Sequence, residues 1–355
     1  ISLLYPLSLA GLTLLPLLSV IPGGLLALTA VQGITSLDDA LWVLAGWSPV
    51  FLVGTVVVYL TLTAALVRAL SVLMKPGFHS VHGSASWAAW LTEALLTKSL
   101  IATYPIYASL FTPVWMRMIG ARVGKHVEVS TVETLPHLTH FADRSFLADH
   151  SMVSARRIRG GWVHLGNATV GEKSFVGNSA IVGPDRHVPD NSLLAVLSSA
   201  PKDMPANSSW FGRPAVELPR PADEGDSSLT YNPKQHLLVA RGAVEVCRIL
   251  PAVLTAWLAL ITVWVLNLIY DQSGLAVTAL WSGPVLLGSG LVACLIALAA
   301  KWALVGRFEV TEYPLWTSFV WRNELADVFS ESLAVPGLVR MSLGTPMLNW
   351  WMRLM

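Results

Sequence analysis

From Val123 onward, one residue in every six is large and apolar, and this period decides what the middle of the chain can fold into. The positions are Val123, Val129, Leu135, Phe141, Leu147 and Val153, then, after a break, Val170, Val176, Val182, Val188 and Leu194. Each is followed by a small residue or proline: Gly124, Ser130, Pro136, Ala142, Ala148, Ser154, Gly171, Gly177, Gly183, Pro189 and Ala195. The fourth residue on is often small as well, as at Thr139, Ser145, Ser151, Ser174, Ala180, Ser192 and Ser198. A helix repeats every 3.6 residues and a strand every two, so a period of six fits neither alone. It fits a coil of short strands, each placing one apolar side chain on an inner stack. The small residues are expected to let the chain turn tightly onto the next face. Three such units close a triangular coil, and coils stack at the strand spacing of about 4.8 Å. The expected fold here is a left-handed parallel β-helix of hexapeptide repeats.

Two stretches depart from the plain repeat. Residues 135–140 keep the step but carry His137 and His140. Residues 154–167 break it, and Arg156, Arg157, Arg159, Gly160, Gly161 and Trp162 form an expected phase-shifting loop. Insertions into solenoids are common binding sites, although a surface loop without a role is the plainer reading.

Outside this region the chain is too apolar for a water-soluble protein. It is 54% hydrophobic and 13% charged, against about 25% charged in soluble domains. Crossing a bilayer takes about 20 apolar residues in a helix. Four segments qualify: 3–31, with a kink expected at Pro22, then 50–73, 244–270 and 275–304. Trp42, Trp47 and Trp281 near the ends of apolar runs suit the membrane interface. None of the 23 Lys and Arg residues falls within 1–67 or 249–300. The positive-inside rule then puts 74–243 and 305–355 in the cytoplasm, which makes a multi-pass protein of the cell membrane. A net charge of +1 offers no basic patch for nucleic acid. Cys247 and Cys294 both sit in apolar runs, which gives neither a disulfide framework nor a metal motif. No cleavable leader is expected, and the abrupt ends suggest a piece of something longer.

A longer repeat is also present. The stretch from Ser86 resembles that from Thr317: Trp90 matches Trp321 and Glu93 matches Glu324. With slips of a few residues, Thr112-Pro113 matches Thr345-Pro346 and Trp115-Met116-Arg117 matches Trp351-Met352-Arg353. Glu93 and Glu324 read as solvated or interfacial helix residues rather than catalytic ones. The expected organisation is spans one and two over 1–75, interfacial helices over 76–118 and the β-helix with its tail over 119–220. Spans three and four follow over 221–305, and interfacial helices over 306–355 lead toward a second β-helix.

The longer ordered string carries a resemblance. Its parts are Tyr104-Pro105-Ile106-Tyr107, Pro113 to Arg117, Gly120 to Gly124, Leu135 to His140, Phe146 to Asp149, Phe175 to Ser179, Ala195 to Pro201 and Ser209 to Pro214. The chain resembles the carboxy-terminal membrane region of nonribosomal peptide synthetases of the ε-poly-lysine synthetase type. That resemblance implies tandem domains related to hexapeptide acyltransferases, which form amide bonds from aminoacyl thioesters. It implies carrier and adenylation domains as partners in the same synthetase. The donor would be the phosphopantetheine arm of the carrier, with no cofactor bound covalently in this chain. Neighbouring β-helix domains would act as a pseudo-trimer.

Amide formation from a thioester needs a base beside the amine, and histidine is the usual one near neutrality. His137, His140 and His150 are the candidates, with Asp143 or Asp149 to orient an imidazole; His164 beside Trp162 is a weaker one. Their spacing is a poor match to the three-histidine zinc site of γ-class carbonic anhydrases, so no metal is expected. By resemblance to the Gly-x-Pro-Ala turn of hexapeptide acyltransferases, Trp210, Gly212, Arg213 and Pro214, with Trp162, lie beside the donor arm. Two other functions stay open: a non-catalytic membrane scaffold, and a membrane-bound acyltransferase using acyl-CoA.

Overall fold

The computed structural model describes residues 3–219, 230–231 and 233–355. The expected boundary at 220/221 lies outside the described residues. The chain forms two compact units: Ile1–Ser19 with Val56–Asn232, and Val20–Thr55 with Pro233–Met355.

Helix α1 spans Leu4–Ala30 and continues through Pro22. Helix α2 spans Leu37–Ser71, beginning well before the expected start at 50. Pro49 lies inside the helix; a proline lacks only one backbone donor, and membrane helices tolerate it. Asp38 and Asp39 in the first turn of α2 favour a helix start there.

Among the described residues, three helical stretches, not four, are long and apolar enough to cross a membrane: Leu4–Ala30, Leu37–Ser71 and Gln235–Leu304. The last contains α5 (Gln235–Val246) and α6 (Leu250–Leu304), and the third and fourth expected spans both fall within it. Helix α6 is not straight. Thr262 Oγ1 lies 2.6 Å from Ser289 Oγ, 27 residues on. A continuous helix would separate them by about 40 Å at 1.5 Å per residue. The fold-back occurs at Gly274, whose φ of 74° and ψ of 177° belong to a region essentially reserved for glycine. The two spans therefore appear as one helical hairpin. Gly274→Ala is expected to destabilise the protein by about 1–3 kcal/mol through backbone strain alone, since nothing lies within 4 Å of a Cβ there. An unchanged thermal midpoint in lipid nanodiscs would contradict this.

In the second unit, α7 (Ser318–Phe329) and a π-helical stretch Ser330–Val339 pack on α6 through Ala293, Ala297, Leu325 and Leu333. Arg248 Nη2 donates to Glu324 Oε2 at 2.6 Å. The last helix, α8, spans Pro346–Leu354.

In the first unit, helices α3 (Ser84–Thr103) and α4 (Thr112–Met118) stand against a β-rich region of parallel sheets. One sheet stacks Arg122–Val123, Thr139–Phe141, Ala168–Val170 and Arg186–Val188. A second stacks Glu128–Val129, Phe146–Leu147, Phe175–Val176, Leu193–Leu194 and Ser209–Phe211. A third stacks Val132–Thr134, Ser151–Val153 and Ile181–Val182, extended by a bridge from Ile181 to Ser199. The chain visits the sheets in turn, so each strand pairs with one a full circuit later. Val129 pairs with Leu147, Val170 with Val188 and Val176 with Leu194, each 18 residues on. Val176, Val182, Val188 and Leu194 are fully buried, while Val123 is only half-buried.

The turns work differently from the expectation. The left-handed corner falls three residues after the stack residue: Lys173, Ser179, Asp185, Asn191 and Leu197 have φ between 53° and 58°. The small residue just after the stack is instead a matter of room. A Cβ at Gly177 would lie 2.6 Å from the backbone nitrogen of Val196 in the next circuit. The Ser and Thr corner residues are buried, and hydroxyls such as Ser145 Oγ donate to local carbonyls, here Ala142 O at 2.8 Å.

The stretch expected to be a loop is a hairpin. Trp162–Leu165 pairs antiparallel with Arg157–Arg159 on one side and with Gly77–Ser80 on the other. Gly77–Ser80 lies where only helices were expected. Four residues carry too little periodicity to be read as a strand without their partner.

Candidate functional site

Outward side chains on the third sheet form a column. Glu133 pairs with Met152, Met152 with Ile181, and Ile181 bridges to Ser199. At the Glu133 end, α3 and α4 cover the column and enclose a cavity of about 270 Å³. Toward Ser199 the same face opens into a groove of about 640 Å³. Met152, Ala155 and Arg156 line both.

Arg156 joins the two spaces. Its Nε contacts Glu93 Oε2 at 2.8 Å, and both side chains are roughly three-quarters buried. Of the two expected settings, Glu93 is therefore a helix residue and not a solvated one; burial raises its carboxyl pKa, partly opposed by Arg156. Its counterpart Glu324 likewise pairs with an arginine, Arg248. The reason is shared: an apolar helix surface buries a carboxylate only beside a cation.

In the groove, His164 Nε2 lies 2.9 Å from Asp185 Oδ2, and the imidazole stacks on Phe78 at 4.3 Å and 10°. A carboxylate accepts only, so Nε2 carries the hydrogen, and in the neutral form of the ring Nδ1 has a lone pair. The hairpin presents His164, and the left-handed corner presents Asp185. Arg156, Arg157 and Arg186 line the same groove. This is a base held by an orienting carboxylate in a cationic cleft, an arrangement suited to moving a proton.

The other candidates lie in separate surroundings. His137, in the turn Pro136–Leu138, donates from Nε2 to Met74 O at 2.7 Å, and its Nδ1 is buried without a hydrogen-bond partner. Burial lowers its pKa, and the ring anchors the segment that follows α2. His140 is exposed on the outer face of the first sheet, level with Arg122 and Thr169. His150 occupies a left-handed corner at φ 53° and is exposed. Asp143 accepts the Lys125 backbone N–H at 2.8 Å, and Asp149 accepts Thr131 Oγ1 at 3.2 Å. Both carboxylates tie one circuit to the one before it and do not orient an imidazole. Among the described residues, no three His, Cys, Asp or Glu side chains gather as a metal ion requires.

The segment expected at the donor arm closes the coil. Trp210 Nε1 donates to Ser208 Oγ at 2.8 Å, Gly212 N–H to Ser198 Oγ at 2.8 Å, and Arg213 Nη2 to Ser179 O at 2.6 Å. Pro214 follows, and Val216–Glu217 turns back antiparallel on Ser209–Phe211. Trp162, about half exposed, sits on the hairpin. Sequence reasoning missed Arg156, Glu93 and Asp185 as site residues; only the break in the six-residue step hinted at where the first lies.

No family model matches the chain. Over 292 residues it is 35% identical to a delta-poly-L-ornithine synthetase of Acinetobacter baumannii (strain AB307-0294), covering 79% of this chain and 22% of that protein. The chain thus spans about a fifth of that relative's length, and the two are related over the shared segment. Similar solved structures include a maltose O-acetyltransferase from Clostridium difficile 630, at 13% identity and a TM-score of 0.31 over 42% of this chain and 96% of that one. Another is serine acetyltransferase isoform 3 from Entamoeba histolytica in complex with cysteine, at 11% identity and a TM-score of 0.16 over 59% and 76%. At these scores neither likeness bears on the chemistry.

Proposed function

We propose that the chain is an amide-forming module of a membrane-bound nonribosomal poly-amino-acid synthetase, with its chemistry in the groove of the third sheet. The observation that carries this reading is the 35% identity over 292 residues to the poly-L-ornithine synthetase. In this reading the β-rich coil is a left-handed parallel β-helix of hexapeptide type. The membrane part makes four crossings, with each arm of α6 counted separately. The distribution of Lys and Arg puts the coil on the cytoplasmic side of the cell membrane.

The donor is an aminoacyl thioester on the phosphopantetheine arm of a carrier domain, which an adenylation domain loads. The lining of the groove supports this reading. Arg157 and Arg186 offer guanidinium groups for a phosphate, and Met152 and Ile181 offer an apolar floor. When bound, the arm supplies the activated acyl carbon. The chain's own residues do the rest. His164 Nδ1 takes a proton from the attacking amine as the N–C bond forms and the C–S bond breaks. That proton then passes to the departing thiolate. Asp185 fixes the imidazole and stabilises its protonated form. The chemistry is assigned to His164 and Asp185 in preference to His137, whose lone pair is buried, and to the exposed His140 and His150. Neighbouring β-helix domains of the longer protein close the open side of the groove.

Ser199 faces the groove and tolerates a test by filling. In the full-length protein, Ser199→Trp is expected to abolish amide formation while aminoacyl loading of the carrier, measured separately with labelled amino acid, continues. Product formation that is unchanged would favour the non-catalytic scaffold.

A further inference from the structure

We infer that the outer face of the hairpin sheet, with Phe78, Arg159 and Trp162 at its centre, is a docking surface for the bilayer and rests on the headgroups of anionic phospholipids. The sheet consists of Gly77–Ser80, Arg157–Arg159 and Trp162–Leu165. Cross-strand partners share a face, so the register divides the side chains into two sets. Phe78, His164 and Arg157 lie level on one face, and Ser80, Trp162 and Arg159 lie level two residues along it. The opposite face carries Val163 and Leu165, which are buried. On the first face Phe78 is 70% exposed and Trp162 is 55% exposed, with exposed Arg157 and Arg159 beside them. The three strands contain no Asp or Glu, and among the described residues Arg159 has no ion pair. Exposed rings beside unpaired guanidinium groups suit the headgroup layer, where the rings leave water and the cations meet phosphate.

Two connections hold this face at the level of the membrane helices. As consecutive crossings, α1 and α2 put the start of the first and the end of the second on one side. Helix α1 has 27 residues and reaches about 40 Å, against a hydrocarbon core of about 30 Å, so Ser8 in its second turn lies at the edge of that core. Trp87 Nε1 donates to Ser8 Oγ at 3.0 Å. Its neighbour Ser86 donates from Oγ to Ser80 O at 2.6 Å, and Val81 N–H donates to Gly161 O at 3.0 Å. The turn of the hairpin is thereby fastened to the segment that touches α1. The second connection is covalent. Helix α2 ends at Ser71, Val72 and Leu73 stay exposed, and Phe78 follows Leu73 by five residues, at most about 18 Å of chain. An acidic protein would also meet the arginines, but the two connections to residues at lipid level favour the bilayer. The inference stands on the membrane helices and not on the amide-forming reading.

The test is nitroxide accessibility in the 355-residue chain, held in nanodiscs of phosphatidylcholine with phosphatidylglycerol. Cys247→Ala and Cys294→Ala remove the native thiols, and Ser80→Cys places a label level with Trp162 while keeping Phe78, Arg159 and Trp162 in place. A label at Lys202→Cys, an exposed position of the coil, reports bulk water. The Ser80 label is expected to be shielded from a water-soluble nickel chelate and open to dissolved oxygen, and the Lys202 label the reverse. Arg159→Glu should shift the ratio of seated to free hairpin toward water by about fivefold or more, as for the lost attraction of one basic residue to an anionic leaflet. Nanodiscs of phosphatidylcholine alone should shift it the same way, and they need no variant to fold. Nickel access at Ser80 equal to that at Lys202 means the face looks into the cytoplasm and overturns the inference. Shielding that neither Arg159→Glu nor the change of lipid moves, or that persists in detergent without phospholipid, marks a protein contact and overturns it as well.

Discussion

Replacing His164 by alanine is expected to lower amide formation by the full-length protein about 10²–10⁴-fold, the usual contribution of a positioned general base. A neutral amine that attacks a carbonyl must give up a proton as the N–C bond forms, and a base beside it takes that proton before it passes to the departing thiolate. His164 is the histidine that combines a groove, an orienting carboxylate at 2.9 Å and a ring stacked on Phe78. Asp185→Asn separates chemistry from packing. The amide keeps the shape of the corner, but it is neutral, so a protonated imidazole is no longer stabilised. It should lower turnover without lowering carrier loading. Turnover within a factor of two of wild type in His164→Ala, with carrier loading intact, would exclude this histidine as the base.

Val176→Asp should have the largest effect on stability. Val176 is fully buried in the inner stack, between Leu147 of one circuit and Leu194 of the next. An aspartate there finds no cation and no donor among stacked aliphatic side chains. Placing an unpaired polar group in such surroundings costs several kcal/mol, and an ionised one more, so the carboxyl would protonate first. Domains are stable by only about 5–15 kcal/mol in all, so much of the coil's stability is lost. Limited proteolysis within residues 119–219 reads this directly, since a native coil offers few open loops. Protection equal to wild type would mean that the stack does not bear the coil's stability.

The fold was legible where its signal lies along the chain, and the site was not. A stack residue every sixth position, and apolar runs long enough for lipid, are properties of neighbouring residues. They could be read without knowing what packs against them. The same reasoning misread the corners. It assigned the turn to Gly171 and Gly177, but the backbone turns at Lys173 and Ser179. A glycine that makes a turn and a glycine that makes room look alike in sequence. It also counted four separate spans where three helical stretches appear among the described residues, because the helix runs on through the fold-back at Gly274, where a gap between two spans was expected.

The candidate site required contacts between distant residues. Glu93 meets the Arg156 backbone across 63 positions, and His164 meets Asp185 across 21. Neither separation is a multiple of six, so no repeat announces either pair. His137, conspicuous in sequence, spends its Nε2 hydrogen on the carbonyl of Met74, 63 positions away. The amino-acid order by itself determined the inner stack and the long apolar helices, because a periodic or continuous run of apolar side chains needs only the chain's own local geometry. Tertiary structure alone decided which polar residues became anchors and which became a site. A carboxylate, guanidinium or imidazole takes its protonation and its role from the partner that packing brings within about 3 Å, and that partner is set by the fold.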